Sequence, residues 1–461
     1  MHTQSMNRIV FIDIPLLENL LSPEIKEKEF LLTLDALHHL RTTYSLVLPH
    51  AQDQQKTAKT LMEGIARYGI DFLSIVPHLE TKPSTITWDQ LDEFLPFDHT
   101  RSFFIKDGLY LEFSSEKDSD LHSLFFHSFP EAVRWILTYP NPGLGIAEKI
   151  REGAALILKG GLVAFPTETV YGLGADATNA SAVEKIFFAK ERPSYDPLIV
   201  HISDISQLGE LVTHIPDSAK KLMDRFWPGP LTLVMQKSDK VPDIVTSSGK
   251  TVAVRMPAHP VALSLIQQSG KPIAAPSANR FGLTSPTTAQ HVQEQLENRI
   301  DAIIDGGACT VGIESTVLSL VGDTPMILRP GMIDKVAIEA CIGPISSLPD
   351  TAGENLESPG LLLSHYAPLT PLHLVDEVSM FSDRSDVGIM LYGKSDATFK
   401  GPVEYVSLSE DPQQVASRLY YAMRKLDKLN LSFLVVSLLN ETGIGVAVNN
   451  RLRKAAYKPS V

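Results

Sequence analysis

The chain has 461 residues, 44% hydrophobic and 21% charged, with a formal net charge of -13. Such a length suggests about three domains of roughly 150 residues each, and the acidic balance argues against a surface that grips nucleic acid through clustered Lys and Arg. The two cysteines, Cys309 and Cys341, lack CxxC spacing or a nearby His pair, which argues against zinc and fits a reducing compartment.

In chain order, the N-terminus MHTQSMNRIVFIDIP shows no signal-peptide pattern, because Asp13 ends its short apolar run. No segment reaches the roughly 18 apolar residues of a membrane helix. These features predict a cytoplasmic protein with no membrane partner. Residues 1–140 read as an α/β domain. RIVFIDI and YSLVLPH are expected strands, and EKEFLLTLDALHHL and KTLMEGIARYG expected helices, the first with Phe30, Leu34 and Leu37 on one face. TYPNPGLG then marks a boundary.

Residues 145–343 form the next block, with strands expected at 162–165, 198–202, 231–235, 251–255, 272–275, 302–304, 315–320 and 326–329. In SAVEKIFFAKE, Ser181 and Glu184 have capping-box spacing. Adjacent strands mixed with strand–helix–strand units predict an α/β fold, a twisted open mixed sheet with helices on it. Residues 344–370 are rich in Gly, Pro and Ser and read as a linker. In residues 371–461, VGIMLYG, PQQVASRLYYAMRKLDKL and LSFLVVSLL alternate strand, helix and strand, as in a small Rossmann-like domain.

Four polar clusters fall where strands of the middle block meet loops. FPTETVYGLGADAT carries Thr167, Glu168, Thr169 and Tyr171, and KERPSYDPLIVHI carries Lys190, Arg192, Asp196 and His201. APSANRFGLTSPTT carries Ser277, Asn279, Ser285 and Thr287, and VGIESTVLSL with LRPG carries Ser315, Thr316 and Arg329. Lys190 and Arg192 end an expected helix, so they either complement its dipole or clamp a phosphate. Hydroxyls beside Pro and Gly are commonly turn formers, and His201 could be a core histidine. Their recurrence in four loops favours a shared site. HExxH, a P-loop and a nucleophile–base pair are absent from the sequence. GLGADA matches a dinucleotide fingerprint, but six residues separate it from Phe165, so its glycines are expected to allow a tight turn.

Together, AFPTETVYGLGADAT, KERP, PLIVHI, AVRMPAHP, APSAN, GIESTVLSL and LRPG resemble the YrdC-like threonylcarbamoyl-AMP synthases over residues 145–335. SPGLLLSHYAP and GIGVAVNNRLRKAA resemble the linker and C-terminal domain of the longer members. The resemblance implies a YrdC-like sheet around a positively charged cavity. It also implies that L-threonine, bicarbonate and ATP yield threonylcarbamoyl-adenylate and pyrophosphate, with Mg2+ at the phosphates. A downstream threonylcarbamoyl transferase complex would then modify tRNA. The alternative is a non-catalytic RNA-binding module of the same fold.

By matching motif positions, Lys190 and Arg192 are the implied catalytic pair. They share ATP with Asp196, Asn279, Thr287, Arg329 and Tyr366, the last as a lid. Thr169, His201, Arg255, Ser277, Ser315 and Thr316 are implied at threonine, and no protein metal ligand is expected. Two positions depart from the family: Asp196 stands where Asn is usual and Ser319 where Asp is common. Residues 1–140 resemble a haloacid-dehalogenase-type phosphatase more weakly, with Asp13 at the nucleophile position and Lys82 in the expected lysine loop. Pro15 replaces the acid/base Asp, which points to a degenerate domain.

Overall fold

The computed structural model describes residues 9–13, 43–47, 72–76, 103–106, 110–113, 122–125, 144–347 and 365–457. The chain divides into two units, Met1–Lys149 and Ile150–Val461.

In the first unit, β1 (Ile9–Asp13) pairs in parallel with β2 (Thr43–Val47) and β4 (Phe103–Lys106). β3 (Phe72–Val76) extends the sheet beyond β2, while β5 (Tyr110–Phe113) and β6 (His122–Phe125) add an antiparallel edge. The order is β3-β2-β1-β4-β5-β6. β1 is thus central, with Asp13 at its carboxyl end. The expected helices, Pro15 and Lys82 lie outside the described residues.

The second unit begins with the rest of the helix Leu144–Leu158, then β7 (Val163–Phe165), β8 (Gly172–Asp176), β9 (Ile199–His201), β10 (Leu231–Gln236) and β11 (Thr251–Arg255). β12 (Ile273–Ala274), β13 (Ala302–Ile303), β14 (Thr316–Ser319), β15 (Met326–Arg329) and β16 (Ser346–Ser347) complete a ten-stranded sheet. Its order is β13-β7-β8-β12-β9-β11-β10-β14-β15-β16, and it mixes parallel and antiparallel pairs, as the sequence predicts. The strands are short and rich in Val, Ile and Leu, which suits positions buried on both faces.

Two local expectations are corrected. Gly172 and Gly174 lie inside β8 instead of forming a turn. A Cβ on Gly174 would stand 2.7 Å from both Ile273 Cγ2 and Phe165 Cε1, so glycine permits close strand approach there. The helix Ala180–Lys190 is capped by Asn179, whose side chain accepts from Ala182 N, and not by a Ser181–Glu184 box. The helix ends at Glu191, at φ 55°, so Lys190 and Arg192 leave it in different directions.

In residues 365–457, β17 (Leu372–Leu374), β18 (Val387–Tyr392), β19 (Val403–Ser407) and β20 (Phe433–Val436) form an all-parallel sheet in the order β17-β20-β18-β19. The helices Pro412–Asp427 and Ile444–Ala456 pack with it. Leu419, Tyr420, Met423 and Leu452 share one apolar cluster with Val170, Val311 and Ile313 from the ten-stranded region. Each such aliphatic side chain contributes about 2 kcal/mol when fully buried. The two sheets of this unit are therefore joined by core packing.

Candidate active site

The polar clusters meet at one cleft, partly open to solvent, at the ends of β9, β11, β14 and β15. Thr169, Arg192, His201, Arg255, Ser277, Ser315, Arg329 and Tyr366 line it, eight of the residues expected from the sequence. Gly172, Ile199, Ala275 and Pro276 add backbone and apolar wall.

On one side, Arg255 Nη2 lies 2.6 Å from Glu168 Oε1, an ion contact without hydrogen-bond alignment. Arg255 Nη1 donates to Thr169 Oγ1 at 2.9 Å, and Nε to Gly229 O at 3.1 Å. Thr167 Oγ1 donates to Val170 O and lies 2.8 Å from Thr169 Oγ1. A hydroxyl has one proton, so Thr169 donates to Thr167 and accepts from Arg255. Donation thus runs from the guanidinium through Thr169 and Thr167 to Val170 O.

His201, at the end of β9, is buried, and its pKa falls to about 3 because burial penalises the cation and Arg255 repels it. It is neutral at working pH. Its Nδ1 has no hydrogen-bond partner among the described residues.

Arg192 and Arg329 also line the cleft. Arg192 Nε donates to Asp196 O at 3.1 Å and Nη2 to Pro197 O at 2.8 Å, while Asp196 Oδ2 lies 2.9 Å from Nη2. Burial raises the Asp196 pKa, and Arg192 and Lys190 pull it back. Arg329 donates to Ser315 O and Ser315 Oγ at 3.1 and 3.2 Å, and Ser315 Oγ lies 2.7 Å from Thr232 Oγ1. Tyr366 closes the wall at φ 66°, with 1% of its surface exposed.

Five expected residues stand behind the lining. Lys190 Nζ donates to the carbonyls of Ser277 and Asn279, each at 2.5 Å, tying the SxN loop to the helix end. Burial, then repulsion from Arg192, lowers its pKa. Asn279 Nδ2 donates to Arg280 O and Leu283 O, which holds the same loop. Thr287 N donates to His291 Nδ1, and the Thr316 hydroxyl to Ile333 O. Asp196 pairs its carboxylate with Arg192. Ser319 Oγ accepts from Val321 N at the end of β14.

The sequence reading did not assign Glu314, His365, Tyr420 or Arg451 to the site. Glu314 and His365 line the cleft, and Tyr420 and Arg451 bond Glu314 from the C-terminal domain. Glu314, His365 and Arg451 fall inside the quoted segments VGIESTVLSL, SPGLLLSHYAP and GIGVAVNNRLRKAA, but nothing in their spacing ties them to one another or to the cleft.

The Sua5/YciO/YrdC family profile, described as telomere recombination, matches residues 155–331. The profile of the threonylcarbamoyl-AMP synthase C-terminal domain matches residues 333–457. A threonylcarbamoyl-AMP synthase of Bacillus subtilis is 46% identical over 338 residues, 70% of this chain and 97% of that relative. The chain belongs to the threonylcarbamoyl-AMP synthase family. A second family relative, from Pyrococcus abyssi, is 44% identical over 67% of this chain and 94% of its own length. The crystal structure of P. abyssi Sua5 complexed with L-threonine superposes with a TM-score of 0.63 at 43% identity, covering 67% of this chain and 94% of that one. A His/Tyr double-alanine variant of the same protein gives 0.63 at 42% identity, covering 67% and 92%.

Proposed function

We propose that this cleft converts L-threonine, bicarbonate and ATP into threonylcarbamoyl-AMP, releasing pyrophosphate and water. The observation that carries this reading is the convergence of Arg192, Arg255 and Arg329 with the hydroxyls of Thr169, Ser277 and Ser315 and a neutral His201. The threonine amine adds to the carbon of bicarbonate, giving a carbamate with loss of water. A carbamate oxygen then attacks the α-phosphorus, and the bond to the β-phosphate oxygen breaks. No protein nucleophile is needed, so catalysis rests on positioning and charge neutralisation.

Arg255, held by Glu168 and Thr169, suits the threonine carboxylate or the carbamate. The unpaired Nδ1 of His201 suits a threonine donor, with Ser277 and Ser315 bordering the pocket and Thr316 supporting it. Arg192 and Arg329 suit the phosphates. Lys190 keeps a third N–H beyond its two carbonyls, and Asn279 and Thr287 hold the loops around the nucleotide. Tyr366 covers the adenylate against water. Mg2+ would enter with ATP, held mainly by its phosphates. A tRNA threonylcarbamoyl transferase consumes the product, in the cytoplasm.

The test is pyrophosphate release with threonine, bicarbonate or ATP omitted in turn and serine substituted for threonine. Release that depends on all three substrates is expected. Release no greater without threonine overturns the reading, and tRNA binding without turnover favours the RNA-binding alternative.

A further inference from the structure

Glu314 stands in the cleft wall one residue before Ser315, and its carboxylate is held from three directions. Ser285 Oγ donates to Oε1 at 2.6 Å, and Tyr420 OH lies 3.2 and 2.9 Å from the two oxygens. Arg451, on the last helix of the chain, brings Nε to 2.6 Å from Oε2. Arg451 is 0% exposed, although neither the polar clusters nor the reaction chemistry calls for it.

This arginine reaches further than its ion pair. Its Nη2 donates to Pro330 O at 3.0 Å, beside Arg329, and Nη1 to Asn450 Oδ1 at 2.8 Å. Its guanidinium carbon lies 5.0 Å from the centroid of the Tyr366 ring, which stacks on Tyr420 at 6.0 Å. Arg451 therefore touches both ends of the segment that presents Ser315 and Arg329, and the aromatic ring beside them. A fully buried ion pair adds little net stability, because desolvation offsets the attraction. Orientation of neighbouring groups explains its presence better.

We propose that Arg451 is a positioning residue of the adenylation site, acting through Glu314, Pro330 and Tyr366 to hold Arg329 against the nucleotide. The C-terminal domain then completes the site. This rests on the function proposed above. Thr169, His201 and Arg255, the principal groups proposed at threonine, stand on other elements and receive no bond from Arg451, so the effect falls mainly on ATP.

The test is steady-state pyrophosphate release by the full chain carrying Arg451→Lys, Arg451→Met or Glu314→Gln with Arg451→Met, with a melting curve for each. Arg451→Met is expected to raise KM for ATP at least about tenfold while KM for threonine moves less than about threefold. Arg451→Lys is expected to recover part of the loss. The double variant has no unpaired buried carboxylate, so its melting temperature should return toward that of the unaltered protein while KM for ATP stays high. It carries the test if Arg451→Met does not fold. Equal shifts in both KM values, or a double variant whose KM for ATP recovers along with its melting temperature, would overturn the proposal. If the unaltered chain shows no threonine-dependent release, the proposed function falls and this role falls with it. Normal release with an unchanged KM for ATP in folded Arg451→Met overturns this role alone.

Discussion

Arg255 meets Glu168 at 2.6 Å inside the cleft wall, from a strand and a loop that lie far apart in the chain. Both side chains are at most 10% exposed, so neither charge is well solvated without the other. Removing one partner of such a pair costs about 3–5 kcal/mol. Arg255→Ala should lower stability by about that amount in denaturant titration. Arg255→Lys keeps the charge but loses the fork that spans Glu168, Thr169 and Gly229. It should stay folded and raise KM for threonine by about tenfold or more, read from pyrophosphate release.

Lys190 acts first on the protein. Its ammonium satisfies the carbonyls of Ser277 and Asn279, and an unsatisfied buried acceptor costs about 1–3 kcal/mol. Lys190→Met should therefore lose about 2–6 kcal/mol of stability by the same estimate. Its turnover should also fall by about 100-fold or more, since the brace of the SxN loop and the cation proposed to serve the phosphates are lost together. A Met variant with native melting temperature and low activity would assign the residue to catalysis alone.

Histidine burial makes the fold sensitive to acid. His259 is held neutral by burial, with a pKa of about 3 against 6.5 for the ordinary group. The unfolded chain takes up a proton below pH 6.5 that the folded chain refuses, so stability falls as pH drops from 6.5 toward 3. The His259 side chain also caps the helix Pro260–Ser269 by accepting from Val261 N. His259→Asn keeps a capping acceptor and removes the titration. Its stability should change less steeply between pH 6.5 and 4 than that of the unaltered protein, measured by denaturant midpoints across that range.

Glu314 titrates in a lower window. Burial opposes its charge, but Arg451, Arg329 and the hydroxyl of Ser285 outweigh that and hold its pKa at about 2. Its stabilising contribution is complete above the ordinary carboxylate range and is lost as pH falls through about 2. Glu314→Gln should flatten the stability profile below pH 4.5 and leave the histidine-driven slope above it intact.

Gly312 sits at φ 80°, and a Cβ there would lie 2.4 Å from Ser417 Cα on the helix Pro412–Asp427. Both the backbone conformation and the space demand glycine. Gly312→Ala should lower stability by about 2 kcal/mol or more, since backbone faces backbone and neither can yield easily. It should also raise KM for ATP if the helix carrying Tyr420 shifts, which the melting curve and the pyrophosphate assay read separately.

Much of the site was legible in advance because motif loops sit at strand ends, where a rigid sheet presents them. Thr169, Arg192, His201, Arg255, Ser277, Ser315, Arg329 and Tyr366 all line the cleft. Strand β8 was not legible, because GLGAD has almost no side-chain pattern and glycine reads as a turn. Only the 2.7 Å approach of Ile273 and Phe165 explains Gly174. The inward direction of Lys190 was hidden for a related reason: a cation at a helix end can point to solvent, ligand or loop.

By itself, the amino-acid sequence determined the order of the strand-end loops, the charge and hydroxyl types they carry, and their agreement with one enzyme family. Those features are local, set by residue type and spacing. The tertiary structure alone decided that Glu168 holds Arg255, that Lys190 braces a loop, and that Arg451 reaches Glu314 across 137 positions. Each of these joins distant segments through buried charge, and a buried charge is stable only where the fold brings it a partner.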